Sequence, residues 1–269
     1  MSGFSADWLA RREPHDLRAR NPEVVRAVID CLNPLQTVHI TDLACGTGST
    51  LRALGTHLPA RQNWRLVDND LGLLGRASAM TLAKNINVAA LTLDLNRDLE
   101  LALDGPLDLV TTTAFLDLVS EPWAERLTVE IAARSIPLYA ALTYDGRIEI
   151  APEDSQDPAI VAAVNEHQAT DKGFGPALGS DATRFLIEKF KSVGYGLVQG
   201  RSDWVMGPQD GAIQKEIFVG WAKAAREIGA LPEREISSWL SRRCQIVESG
   251  LSSLRVGHID FFATPIATR

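Results

Sequence analysis

The sequence predicts an α/β protein built on a doubly wound, mostly parallel sheet, and three observations carry that prediction. A β-branched and apolar run at residues 37–41 gives way to an acidic residue and a small-x-Gly-x-Gly turn, Asp42, Ala44, Gly46 and Gly48, ahead of a helix-prone stretch. Three further short apolar runs follow, each with an acidic residue beyond it. Helix-prone segments separate the runs, the alternation expected of parallel strands with both faces covered.

A chain of 269 residues that is 45% hydrophobic can bury one sizeable core, so a single domain over residues 1–269 is expected. The formal net charge of -7 argues against a general nucleic-acid or acidic-membrane binder, whose footprint would be basic. The expected partner is therefore a small molecule, and the oligomeric state is left open. Cys31, Cys45 and Cys244 are odd in number, widely spaced and unlike a metal signature, which makes a reducing cytoplasm the default location and leaves no metal expected. Arg11, Arg12, Glu13 and Asp16 stand where a signal peptide would need an apolar core, and no apolar run approaches a membrane-spanning length.

Residues 4–31 read as one or two amino-terminal helices. In the first strand Val38 and Ile40 are the buried positions, Asp42 sits at the carboxyl end, and Ala44, Gly46 and Gly48 let the backbone approach a ligand before Ser49 opens the next helix. A dinucleotide fingerprint fits poorly, because its third glycine would fall on Ser49 or Leu51 and because Asp42 would repel a pyrophosphate while accepting bonds from a ligand amino group. At this turn the chain resembles the class I S-adenosylmethionine (SAM)-dependent methyltransferases, with Ala44 in place of the first glycine of their acidic-x-Gly-x-Gly-x-Gly motif.

The second strand, residues 64–70, ends in Asp68, suited to two ribose hydroxyls, and Asp70, suited to cap the helix expected at 71–84. The third, 88–93, ends at Asp94 and Leu95, which match the family position for the adenine amino group and ring. The fourth, 107–112, leads into the segment TAFLDLVSEPW, as in the region after strand 4 of these enzymes. The resemblance thus implies SAM as cofactor, with Asp42, Ala44, Cys45, Gly46, Gly48, Asp68, Asn69, Asp94, Leu95 and Thr113 around it. Arg12, Asp16 and Arg20 lie at i, i+4 and i+8 unless Pro14 starts the helix. They form either a surface ion-pair ladder or, through Arg20, a guanidinium fork for the SAM carboxylate.

A fifth strand is expected at 137–143, its helix at 181–193, a sixth strand at 195–201 and the last at 255–263. The resemblance implies seven strands, with the last inserted antiparallel between the fifth and sixth. Two stretches exceed that plan. Residues 145–179 carry a helix-like DPAIVAAVNEHQ and a turn-rich DKGFGPALG. Residues 207–250 read as two amphipathic helices, one with Ile213, Ile217, Trp221 and Ile228 on a face, the other with Ile236, Trp239, Leu240 and Val247. Both insertions leave from the ligand end of the sheet, so a lid over the substrate is expected.

Ligands of open α/β sheets lie beyond the carboxyl ends of the strands. Tyr144, Arg147, Lys172, Arg201, Trp204 and Arg255 are accordingly the candidate substrate residues, and the cationic ones suggest an anionic acceptor. His167 and His258 are the candidate catalytic groups, against the plainer readings of a half-buried packing histidine and a histidine bonded within the sheet. The segment after the fourth strand lacks the Asn/Asp-Pro-Pro-aromatic motif of amino-directed DNA methyltransferases. The expected activity is methyl transfer to the oxygen or nitrogen of a small molecule. The alternatives are other SAM chemistry, such as aminocarboxypropyl transfer, and a non-catalytic SAM-binding subunit.

Overall fold

The computed structural model describes residues 5–58, 61–80 and 83–266. Two helices come first. The α1 helix, Ala6–Ala19, is capped by Ser5, whose Oγ accepts from the Trp8 amide at 3.1 Å, and it runs unbroken through Pro14. The α2 helix, Pro22–Leu32, is capped by Asn21 with proline in its first turn, where a missing N–H costs nothing. Phe4, the first residue of the expected extension, lies outside the described residues.

Alternation follows: β1 Thr37–Leu43, α3 Ser49–Leu54, β2 Arg61–Asp68, α4 Leu71–Ser78, β3 Ile86–Thr92, α5 Leu99–Ala102, β4 Leu109–Thr113, α6 Glu121–Arg134 and β5 Leu138–Ala151. Asp70 caps α4 as expected, accepting from the Gly72 and Leu73 amides at 2.7 and 3.1 Å. The helix ends at Ser78 rather than continuing to 84; Thr81 and Leu82 lie outside the described residues. The carboxyl-terminal half holds α7 Asp157–Gln168, α8 Ala182–Ser192, β6 Tyr195–Arg201, β7 Trp204–Met206, α9 Gly211–Ile228, α10 Glu233–Glu248 and β8 Ser253–Pro265.

The sheet order is β3-β2-β1-β4-β5-β8-β6, parallel from β3 to β5, with β8 antiparallel to both β5 and β6. The expected insertion of the last strand between the fifth and sixth is therefore present. An eighth strand, the short β7, pairs with the start of β8.

The fifth strand corrects the expected boundary of the first insertion. It runs on to Ala151, with Ile148, Glu149 and Ile150 paired to Val256, Arg255 and Leu254. Two irregularities, with Leu142 at φ 54° and Gly146 at φ 86°, bend it while the pairing continues. Residue 145, expected to open the insertion, lies instead at an irregularity inside a long strand.

Apolar side chains fill both faces of the sheet. Leu127, Ile131, Leu186 and Phe190 cover one face from α6 and α8, and Val24, Val28, Leu51 and Leu74 cover the other from α2, α3 and α4. A third core, with Ile160, Ile217, Phe218 and Trp239, binds α7, α9 and α10 to the extended ends of β5 and β8. Its anchor is Asp157, which accepts from Trp239 Nε1 at 2.8 Å and pairs with the fully buried Arg243. Among the described residues no helix is long and apolar enough to cross a membrane.

Candidate functional site

The strand order reverses direction between β1 and β4, the switch point where open α/β sheets hold ligands beyond their carboxyl ends. Here β1, β4 and β5, neighbours in the sheet, carry three non-glycine residues in the left-handed region: Ala44 at φ 52°, Ala114 at φ 50° and Leu142 at φ 54°. Such a conformation costs roughly 1–2 kcal/mol per residue and persists only where the surroundings impose it, often at functional sites. Gly46 at φ 54° and Gly48 at φ 82° complete the turn after β1. The turn is tied to β2, since the Gly46 amide donates to Asp68 Oδ2 at 2.8 Å and the Asp70 amide donates to Asp68 Oδ1 at 3.0 Å. Each Asp68 oxygen keeps a lone pair for a further donor.

Asp42 is fully buried, accepts from Thr111 Oγ1 at 2.7 Å and has no partner for its second carboxylate oxygen. Burial pushes its carboxyl up to about 7, against the bond from Thr111 and the field of Arg20. Arg20 caps α1 and reaches into the sheet, donating Nη1 to the Tyr139 hydroxyl and Nη2 to Thr113 Oγ1, both at 3.1 Å. Its Nε has no partner, and Tyr139 in turn donates to Asp260 Oδ2 at 3.3 Å. A buried guanidinium held by two neutral hydroxyls is suited to an anionic ligand group. The residues at this crevice thus fit SAM: an unpaired acceptor for an amino group at Asp42, a fork for a carboxylate at Arg20, and Asp68 for ribose hydroxyls.

The expected surface ladder of Arg12, Asp16 and Arg20 is corrected, because all three are buried. The α1 helix lies across the glycine turn. Leu9 Cδ1 is 3.2 Å from where a Cβ on Gly46 would stand, and Arg52 Nη2 donates to Glu13 at 2.6 Å. Cys45 turns its side chain into the core, and so does Leu95. Asp94 is exposed and accepts from the Asn96 amide at 3.0 Å; Asn69 is exposed beside Asp68. Leu71, 72% exposed, offers an apolar surface next to them that the sequence reading missed. Its signal was an apolar residue placed immediately after a capping Asp.

Beyond Ala114 and Leu142 opens a cavity of about 500 Å³. Of the expected substrate and catalytic residues, Tyr144, Trp204, His167 and His258 line it. The four cations do not. Arg147 is paired with Asp145 and Asp203, and Arg255 with Asp203 and Glu149. Arg201 is exposed, and Lys172 donates to the His167 carbonyl and to Thr170 Oγ1, each at 2.8 Å. The four cations expected to meet an anionic acceptor therefore do not line this cavity: Arg147 on β5 and Arg255 on β8 are held by acids, and Lys172 and Arg201 lie outside the wall. Helix α9, from the second insertion, supplies Ile217 and Trp221 to one wall.

His258, 5% exposed, stands between Trp204 and Tyr144, with ring centroids 5.1 and 6.2 Å away, and its Nδ1 has no partner. Burial, reinforced by the charge of Arg12, holds the ring neutral, its proton affinity lowered to about 3. Asp117 and Arg12 also line the cavity and were missed in sequence. Asp117 is 5% exposed, its Oδ1 has no partner, and burial pushes its carboxyl up to about 6. Its signal was an acid inside the otherwise apolar AFLDLV. Arg12 pairs with Asp16 at 2.9 Å and lies 4.8 Å over the Trp204 ring. His167 instead bonds Glu227 at 2.7 Å at the cavity mouth.

No protein-family model and no curated protein matches the chain. Solved structures do. A cyclopropane-fatty-acyl-phospholipid synthase-like protein from Lactobacillus casei aligns over 97% of this chain and 94% of its own, at 13% identity and a TM-score of 0.55. The cyclopropane synthase MmaA2 from Mycobacterium tuberculosis aligns over the same shares at 10% identity and 0.52. A candidate methyltransferase from Bacillus halodurans is covered in full by 91% of this chain, at 14% identity and 0.51. At these identities the likeness is one of fold: the chain has the Rossmann-like class I methyltransferase fold.

Proposed function

From this fold and crevice, we propose that the protein binds SAM and transfers its methyl group to a small-molecule acceptor held in the cavity beyond Ala114. The observation that carries the reading is continuity. Arg20 and Thr113 mark a site for an anionic group at the end of β4, and the next residue, Ala114, already lines the cavity. A ligand anchored by Arg20, Asp42 and Asp68 would therefore place its reactive centre at the cavity's inner end.

The sulfonium of SAM supplies a methyl group that is already activated, so the chain's task is to align a nucleophile, exclude water and hold a departing proton. Trp8, Trp204 and Trp221 line the cavity with apolar surface. Asp117 provides the proton acceptor, and His258, a neutral imidazole, provides a hydrogen-bond acceptor. Asp94 and Leu71 provide a polar and an apolar contact for the adenine end. In this reading the α9 helix of the second insertion is a substrate wall, with α10 packed behind it.

Incubation with methyl-labelled SAM and a pool of small metabolites tests this. Label recovered in a methylated product, with S-adenosylhomocysteine (SAH) as coproduct, supports methyl transfer. Recovery of an aminocarboxypropyl product, or SAM binding without turnover on any member of the pool, refutes it.

A further inference from the structure

We propose that the methyl acceptor is an amine on an aromatic or apolar body, and that Asp117 and His258 receive its N–H groups; this rests on the methyltransferase reading above. Two buried acceptors face the cavity with nothing to accept from: Asp117 Oδ1 and His258 Nδ1. His258 Nδ1 makes no hydrogen bond, so with the ring proton on Nε2 it presents a lone pair to the cavity. A hydroxyl brings one hydrogen to these two acceptors, whereas an amine or ammonium brings two or three.

The charges on the wall exclude an anion in the same way. Arg12 is held by Asp16 with Nε to Oδ2 at 2.9 Å and Nη2 to Oδ1 at 3.3 Å, and Lys223 pairs with Glu227 at 3.6 Å. Glu216 is paired with Arg11, and Glu227 also with His167. Among the described residues lining the cavity, Asp117 is left as the charged group without an ion-pair partner. A carboxylate or phosphate would meet that acid, and an ammonium is attracted to it.

The remaining walls are ring faces. Tyr144 sends its hydroxyl away to Asn165 Oδ1 at 2.6 Å, and Trp204 sends Nε1 to Asp16 at 2.9 Å, so both present their rings to the cavity. Trp8 meets Trp204 edge to face at 6.5 Å. With Arg12 already 4.8 Å over the Trp204 ring, the Tyr144 face is left to attract ammonium by cation–π interaction, and the other rings accept an apolar body. The step balances as follows. The ammonium gives one proton to Asp117, its freed lone pair forms the N–C bond, the S–C bond breaks with its electron pair remaining on sulfur, and Asp117 returns its proton to solvent as the methylated ammonium leaves. The raised proton affinity of Asp117 suits that acceptance.

Calorimetry on SAH-saturated protein with 2-phenylethylamine, 2-phenylethanol and 3-phenylpropanoate, followed by turnover of each with methyl-labelled SAM, tests the inference. The amine should bind about tenfold more tightly than the alcohol or the acid and should be the one methylated. Asp117→Asn should lower kcat/KM for the amine by about 100-fold while leaving SAH affinity within about threefold. Equal or tighter binding of the alcohol or acid, methylation of either in preference, or binding of none of the three overturns the amine assignment, whatever the variant does. Failure to bind SAH at all, measured first, overturns the methyltransferase reading on which the proposal stands.

Discussion

Arg20 and Thr113 meet at the end of β4, the guanidinium Nη2 donating to the threonine Oγ1 at 3.1 Å across 93 residues of sequence. The contact joins the amino-terminal helices to the strand that borders the crevice, and Thr50 extends it by bonding Thr113 at 2.9 Å. A cation built so firmly into the sheet, with an unpartnered Nε, is pre-organised for a ligand carboxylate. Arg20→Ala should weaken SAH by about 1.5–3 kcal/mol, the range for hydrogen bonds to charged groups. Decarboxylated SAM is the control. It should bind the parent and the variant alike, and an equal loss for both ligands would mean that Arg20 acts by holding the fold.

Asp68 holds the Gly46 amide with one oxygen and the Asp70 amide with the other, so it orders the turn and faces the ribose position together. Asp68→Ala should weaken SAM binding in calorimetry by about 1–3 kcal/mol. Asp68→Asn, which keeps one acceptor, should lose less. Binding of NAD in place of SAM by the parent protein would sink the cofactor assignment.

Asp94 is exposed, and its carboxylate accepts from the Asn96 amide at 3.0 Å. Asp94→Ala should therefore leave the melting temperature within a few degrees while lowering SAM affinity several-fold, through loss of the adenine contact. Unchanged affinity would reduce the residue to a turn former.

The cofactor half of the site was legible in sequence because it is built from strand ends. Each strand carries an apolar run that ends near the rim of the sheet, and the acids mark that end: Asp42 is next to last in β1, Asp68 is last in β2 and Asp94 stands two residues past β3. The acceptor half was not, because it depends on which face of a long irregular strand a residue occupies. Arg147 and Arg255 were placed near the correct rim, yet bulges at Leu142 and Gly146 set the register, and both arginines face Asp203 outside the cavity. Arg12 and Asp16 looked like a surface pair, since nothing in their spacing shows that Trp204 from the far end of the chain covers them. Asp117 lay unmarked in an apolar run because burial, which gives it significance, is a property of the packed walls.

The corrected cations carry their own expectation. Arg201→Ala and Arg255→Ala should change the acceptor KM by less than about threefold, since Arg201 is exposed, the part-exposed ion pairs of Arg255 contribute roughly 0–1 kcal/mol and neither side chain lines the cavity. Steady-state kinetics with the acceptor varied at saturating SAM decides it. A rise of tenfold or more would restore the anionic acceptor.

Asp42 should also shape the pH dependence of stability. Burial raises its carboxyl from 3.8 to about 7, so between those values the folded chain binds a proton that the unfolded chain has released. Stability from this group is therefore fully present below the unfolded value and is lost as pH rises toward about 7, the reverse of a salt-bridged carboxylate. Asp42→Asn keeps an acceptor oxygen for Thr111 Oγ1 and removes the titration. Across melts from about pH 4 to pH 8, the variant's melting temperature minus the parent's should rise steadily and level off above about pH 7. A difference that stays flat would mean that Asp42 ionises at an ordinary value. Saturating SAH should shrink the rise, because an amino group bound at the free Asp42 oxygen stabilises the carboxylate and lowers the pH at which the parent gives up its proton.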